Sequence, residues 1–161
     1  MKIAFPPIID QNSVVLILGT MPSEESLRKQ EYYGHKTNQF WRLIFAVFSK
    51  EHTNIYADKV KLLQSHKIAL WDVIKCCEGK GSADTAIKNE QANDFSLLFQ
   101  NYPKISTIIF SSKKSEEFYC KYVGKHPDIT YYTLPSPSTA NARLSFEDKL
   151  KKWQLLTDIT K

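Results

Sequence analysis

Cysteine is scarce and badly placed for cross-linking. The three cysteines are Cys76, Cys77 and Cys120, two of them adjacent. An odd count with two neighbours builds no disulfide framework. The spacing suits neither a zinc site nor an iron–sulfur cluster, so no metal and no cofactor is expected. Free thiols point to a reducing compartment, and a soluble cytoplasmic protein is the expectation. Long apolar runs are missing too: none approaches the roughly 20 residues of a membrane helix. The opening stretch MKIAFPPIIDQNS is short and interrupted by Pro6, Pro7 and Asp10, which argues against a secretory signal. No run of like charge is long enough for a disordered basic tail. No repeat, low-complexity tract or linker divides the chain.

What is present is an ordinary globular mixture. The 161 residues are 42% hydrophobic and 24% charged, enough apolar material for a single domain spanning 1–161. A net charge of +5 permits nucleic-acid binding without demanding it. A monomer is expected.

Hydrophobic patterning lays out strands alternating with helices. Val14–Leu18, Lys67–Val73, Ile105–Phe110 and Thr130–Leu134 read as strands. Ser23, followed by Glu24 and Glu25, starts a short helix ending near Lys29. Asn38–Phe48 is strongly apolar at helical spacing and reads as a well-buried helix; Ile55–Gln64 is a weaker, amphipathic one. Asp94 caps a helix that Pro103 closes after Tyr102. Lys113–Tyr122 is another. Ser145, with Asp148 three residues on, opens a last helix running to about Ile159. Cys76–Asn93 carries Gly79, Gly81 and scattered polar residues, and is expected to be a long loop with one helical turn. The alternation predicts an α/β fold, a parallel sheet covered by helices on both faces. The loops at Gly19, Asp72, Ser111 and Pro135 then share the carboxyl edge of the sheet, where such proteins bind ligands.

Two of those loops are suited to a phosphate backbone. Gly19–Ser23 (GTMPS) and Leu134–Asn141 (LPSPSTAN) are small-residue, Pro/Ser-rich turns after strands. Serine hydroxyls and loop or helix-terminal N–H groups bind phosphates without reading sequence. Between them in the chain come Tyr32, Tyr33, His35 and Asn38, an aromatic and an amide fit to hold a base.

In this order the segments resemble the uracil-DNA glycosylase superfamily, and within it the hypoxanthine (deoxyinosine) DNA glycosylases. The segments are LILGTMPS at 16–23, YYGHKTNQFW at 32–41, LWDV at 70–73 with GSADTAI at 81–87, NDFSLLFQNYPKISTIIF at 93–110 and LPSPSTANA at 134–142. The resemblance implies a three-layer α/β/α sandwich with a four-stranded parallel sheet and damaged DNA across the strand ends. It implies hydrolysis of the N-glycosidic bond of a deaminated base, hypoxanthine first, flipped out of the duplex. No lysine is placed for a Schiff base, so the enzyme is expected to be monofunctional. Two alternatives stand beside it: a uracil or mismatch-specific glycosylase of the same fold, and a catalytically silent DNA-binding relative.

The resemblance also implies roles. Asn38 positions the attacking water, where its plain reading is a helix cap. Tyr33 stacks on the base, or packs under a loop. His35 polarises the base or hydrogen-bonds a loop carbonyl. Thr20 and Met21 stand where many superfamily members carry a water-activating Asp or Asn; their backbone N–H groups are left to meet the base oxygen, or simply form a tight turn. Ser111 replaces the family's usual base-reading Asn and lacks the bidentate geometry of an amide. Ser23, Lys113, Lys114, Ser136, Ser138, Asn141 and Arg143 are the candidates for DNA backbone contact. Many relatives wedge an apolar residue from the last loop into the duplex; Ser138, near that place, is polar, so extrusion is expected to rely on the weak pairing of a damaged base. Asp72 is expected to tie loops together, and Cys76 and Cys77 have no assigned role.

Overall fold

The computed structural model describes residues 2–78, 88–141 and 143–161. Four strands form the predicted parallel sheet: β2 (Val15–Gly19), β3 (Ile68–Asp72), β6 (Thr107–Phe110) and β7 (Thr130–Thr133), in the order β3-β2-β6-β7. In β2 every residue is buried. Its alternating side chains serve two cores: Val15 and Ile17 on one face, Leu16 and Leu18 on the other. The first core takes Phe40, Trp41 and Ile44 of α2 (Phe40–Val47) and Trp153 of α6 (Phe146–Trp153). The second takes Phe95 and Leu98 of α4 (Phe95–Asn101), and Phe118 and Tyr119 of α5 (Lys113–Tyr122). Each such side chain contributes about 1.5–3 kcal/mol when fully buried. The sheet therefore has helices on both faces, the three-layer sandwich.

The remaining helices are α1 (Glu24–Lys29), α3 (Tyr56–Ser65) and α7 (Leu155–Ile159). The expected caps are formed. The Ser23, Asp94 and Ser145 side chains accept from the N–H groups of Ser26, Leu97 and Asp148. The last helix is not continuous: α6 ends at Trp153 and α7 begins after Gln154.

One expectation is overturned. At its two ends Cys76–Asn93 is not loop, because β4 (Ile74–Glu78) and β5 (Lys88–Ala92) pair antiparallel; residues 79–87 between them lie outside the described residues. With β1 (Lys2–Ile3) they make a second sheet, ordered β1-β4-β5. One of the two partners of β4, β1, lies at the far end of the sequence, Lys2 opposite Cys77 and Ile3 opposite Cys76, so no local pattern announces that pairing. The segment GSADTAI at 81–87 lies outside the described residues.

Candidate active site

The carboxyl ends of β2 and β3, and Ser111 and Ser112 just past β6, open onto one cavity of about 630 Å³. That volume lies within the roughly 300–1,000 Å³ of small-molecule sites. The chain leaves β2 toward β3 on one side and later returns to β6 on the other, so the cavity sits at a topological switch point. Gly19–Ser23, the turn around Tyr33 and residues 136–141 supply the remaining walls.

Gly19 is the hinge of the floor. A Cβ there would lie 2.6 Å from Asp72 Oδ1, 2.9 Å from the Tyr33 hydroxyl and 3.7 Å from Ser111 Oγ. Three side chains from three elements thus converge where only a hydrogen fits. Asp72 is 4% exposed, and its main-chain carbonyl accepts from Asn93 Nδ2 at 2.8 Å. Burial first, and then the Asp72 charge, push the Tyr32 hydroxyl well above the usual tyrosine range. Tyr32 stays a neutral donor to the Pro6 carbonyl at 2.8 Å and belongs to the core.

Tyr33 lines the cavity beside Tyr32 and is the less buried of the two. Its φ of 52° is left-handed, unusual for a bulky side chain and about 1–3 kcal/mol uphill. The surroundings hold it there. Its ring stacks on Phe40 with centroids 4.0 Å apart and 16° between planes. Its hydroxyl lies 2.9 Å from Ser111 Oγ. Ser111 donates its one proton to the Leu18 carbonyl at 3.2 Å, which makes Tyr33 the donor in that pair. The Ser111 hydroxyl, 3% exposed, is thereby engaged in fixing Tyr33.

Asn38 lines the same cavity one residue before the cap of α2. Its Oδ1 accepts from the Phe40 N–H at 2.9 Å, which identifies the oxygen of the amide. Nδ2 makes no hydrogen bond among the described residues. The capping reading therefore holds in modified form: the amide oxygen steadies the first turn from one residue before the cap. His35 is exposed; its Nδ1 accepts from the Thr37 N–H at 3.2 Å and lies 2.9 Å from Thr37 Oγ1, a local turn. Thr37 Oγ1 also meets Thr139 Oγ1 at 3.2 Å, joining the two loops across the cavity.

Thr20, Met21 and Ser23 line the cavity, the hydroxyl of Ser23 serving as the α1 cap. Ser136 and Ser138 accept from the N–H groups of Ser138 and Ala140 at 3.2 Å, which leaves each O–H proton available to an external acceptor. Asn141 lines the far wall. The basic candidates are not part of the cavity. Lys113 and Lys114 begin α5, Lys114 pairing with Glu117 at 3.6 Å, and Arg143 is exposed beyond the last loop. Sequence reasoning missed Gly19 as a steric requirement, the Thr37–Thr139 contact, and Lys149, buried behind the 136–141 loop. Lys149 falls three residues after Phe146 and four before Trp153, a helical spacing that places it on the apolar face.

Among the described residues no group of three His, Cys, Asp or Glu is placed to hold a metal ion, and no helix is long and apolar enough to cross a membrane.

A family model described as the uracil DNA glycosylase superfamily matches residues 6–159. A protein of Methanosarcina barkeri named hypoxanthine DNA glycosylase is 42% identical over 118 residues, 73% of this chain and 75% of that protein. One of the same name from Methanosarcina acetivorans is 40% identical over 156 residues, 95% of this chain and 96% of the other. A solution NMR structure from Methanosarcina acetivorans, described as a candidate uracil DNA glycosylase, superposes with a TM-score of 0.77 at 36% identity, covering 97% of this chain and 98% of that one.

Proposed function

The chain belongs to the uracil DNA glycosylase superfamily and is a DNA glycosylase, and from that premise we propose that it hydrolyses the N-glycosidic bond of hypoxanthine in DNA. One observation carries the reading furthest. Asn38, Tyr33 and the 136–141 loop face a single cavity at the switch point of the sheet, in a chain 40% identical over 156 residues to a protein named for that activity.

The chemistry follows from the groups present. Breaking the C–N bond leaves an oxocarbenium-like sugar and a departing base anion. The deoxynucleotide enters the cavity flipped from the stack, because the bond is out of reach inside a duplex. Tyr33, fixed from behind by Phe40, offers an aromatic surface to the base. The Met21 N–H, which makes no hydrogen bond among the described residues, is a donor for negative charge growing on the base oxygen. Asn38 holds the water that attacks the sugar. Ser136 and Ser138 orient the backbone with neutral hydroxyls.

Two expected results arise here. Tyr33→Phe loses one hydrogen bond, roughly 1 kcal/mol of stability, and keeps the stacking face. Tyr33→Ala loses the face as well, and base binding falls by a further 1–3 kcal/mol or so. Single-turnover rates and thermal melts of both variants check this; equal activity losses point to the hydroxyl instead.

The second concerns the outer cations. Few basic groups lie near the cavity, so binding should weaken with salt on a shallow slope. Arg143→Ala should weaken binding to every sequence alike and reduce the slope by ~1. Titrations of inosine-containing and undamaged duplexes at several salt concentrations measure it, and an unchanged slope removes Arg143 from the contact.

The substrate itself is tested with oligonucleotides carrying a single inosine, uracil, mismatched thymine or xanthine. Alkali-labile sites are expected at inosine first. Sites at uracil or thymine alone make the protein a different glycosylase. Binding to abasic DNA without any base release makes it a silent relative.

A further inference from the structure

Lys149 sits on the inner face of α6 and is 1% exposed. Its ammonium donates to Gln39 Oε1 at 2.8 Å and to the Ser138 carbonyl at 3.1 Å. Both acceptors are neutral, and among the described residues Lys149 has no carboxylate partner within salt-bridge distance. A buried ammonium without a counter-charge is costly, and burial draws its pKa down. A position this unfavourable invites an account beyond packing.

The neighbouring backbone supplies one. Ser138 belongs to the loop lining the cavity, and none of the described peptide bonds is cis. In a trans peptide the N–H points opposite to the C=O. The Ser138 carbonyl accepts from Lys149 and, within the turn, from the Asn141 N–H at 3.0 Å; the Thr139 N–H faces away from it and makes no hydrogen bond among the described residues. The loop is pinned from α2 as well, through the Gln39 N–H to the Pro137 carbonyl at 2.9 Å.

We propose that Lys149 is a positioning residue, the buried cation beneath a phosphate-binding loop: it holds the Ser138–Thr139 peptide so that the Thr139 N–H meets a DNA phosphate, whose charge balances its own. A cation on the carbonyl side of a peptide polarises it and strengthens the N–H on the other side as a donor. The phosphate in turn supplies the negative charge this region lacks. The inference rests on the cavity being a DNA site and adds a cation the outer surface does not show.

Gln39→Glu and Lys149→Met test it, each lowering the local net charge by one unit, the first by adding a carboxylate and the second by removing the ammonium. Gln39→Glu keeps an acceptor of the same length and gives Lys149 an ion-pair partner, so its melting temperature should stay level or rise. Its affinity for abasic-site and undamaged duplexes should fall roughly tenfold, the size of one charge acting at short range in an intermediate dielectric. A merely structural bolt would leave that affinity alone. Lys149→Met should weaken binding by a similar factor; if it does not fold, Gln39→Glu carries the test. Parental affinity in Gln39→Glu overturns the proposal, as does a large drop in its melting temperature, which would mean the carboxylate does not sit where the amide did. Duplex binding is read without base release. A protein that binds DNA through Lys149 yet releases no base overturns the glycosylase reading alone, and one that releases hypoxanthine with Gln39→Glu affinity unchanged overturns this inference alone.

Discussion

Asn38→Ala is expected to slow single-turnover base release by roughly a hundredfold or more, while abasic-site binding stays near the parent's. On the proposed reading the amide has two jobs, one for each of its polar atoms. Oδ1 steadies the first turn of α2 through the Phe40 N–H, and Nδ2 has no partner among the described residues. Alanine removes both and should also cost about 1 kcal/mol of stability. Asn38→Asp keeps the acceptor for Phe40 and places a negative charge at a helix N-terminus, where it is tolerated or favourable. Its stability should therefore match the parent's while its rate falls with alanine's. Thermal melts beside single-turnover kinetics on an inosine duplex separate the two jobs. Full activity in Asn38→Asp, or a loss confined to stability in Asn38→Ala, would return Asn38 to the role of a turn residue.

Gly19→Ala is the second large effect. The added methyl would stand 2.6 Å from Asp72 Oδ1 and 2.9 Å from the Tyr33 hydroxyl, closer than side chains tolerate. The Asp72 carboxylate, the nearer of the two, and the Tyr33 hydroxyl with its Ser111 contact must both shift. Overpacking of this kind costs about 1–3 kcal/mol, and displacing the base platform by an ångström is enough for a loss of roughly a hundredfold in rate. Melting temperature and single-turnover rate of the variant provide the check. An Ala variant as active as the parent would show that the floor of the cavity tolerates the shift and that Tyr33 is not held for catalysis.

The parts of this fold legible in sequence are those with local signals. The Val14–Leu18 run, the Ser23, Asp94 and Ser145 caps and the helical spacing of Phe40, Ile44 and Val47 each act within a few residues, and the structure has each element in place. Once the strands are parallel and in that order, the loops after β2, β3 and β6 must meet. That is why the strand order alone brings Asn38, Tyr33 and Ser111 to one cavity. What stayed hidden depends on partners in other elements. β5 reads KNEQA, five residues without a strand pattern, and becomes a strand because β4 pairs with it. Gly19 looks like an ordinary turn glycine until Asp72 and Tyr33 arrive from other elements. Lys149 stands among Lys151 and Lys152 and reads as one more solvated cation, although its spacing from Phe146 and Trp153 turns it inward. The roles carried over from the resemblance are a different matter, since no local pattern distinguishes an asparagine that holds water from one that caps a helix.

The most direct test of the central claim is the chemical identity of what leaves the DNA. An inosine-containing duplex is incubated with excess protein, and the small-molecule fraction is analysed by mass spectrometry while the strand is followed on a denaturing gel. The account predicts free hypoxanthine in amounts equal to the abasic sites formed, with the strand intact until alkali is added. No released base, release of deoxyinosine as a nucleoside, or strand cleavage by the protein without alkali would contradict it.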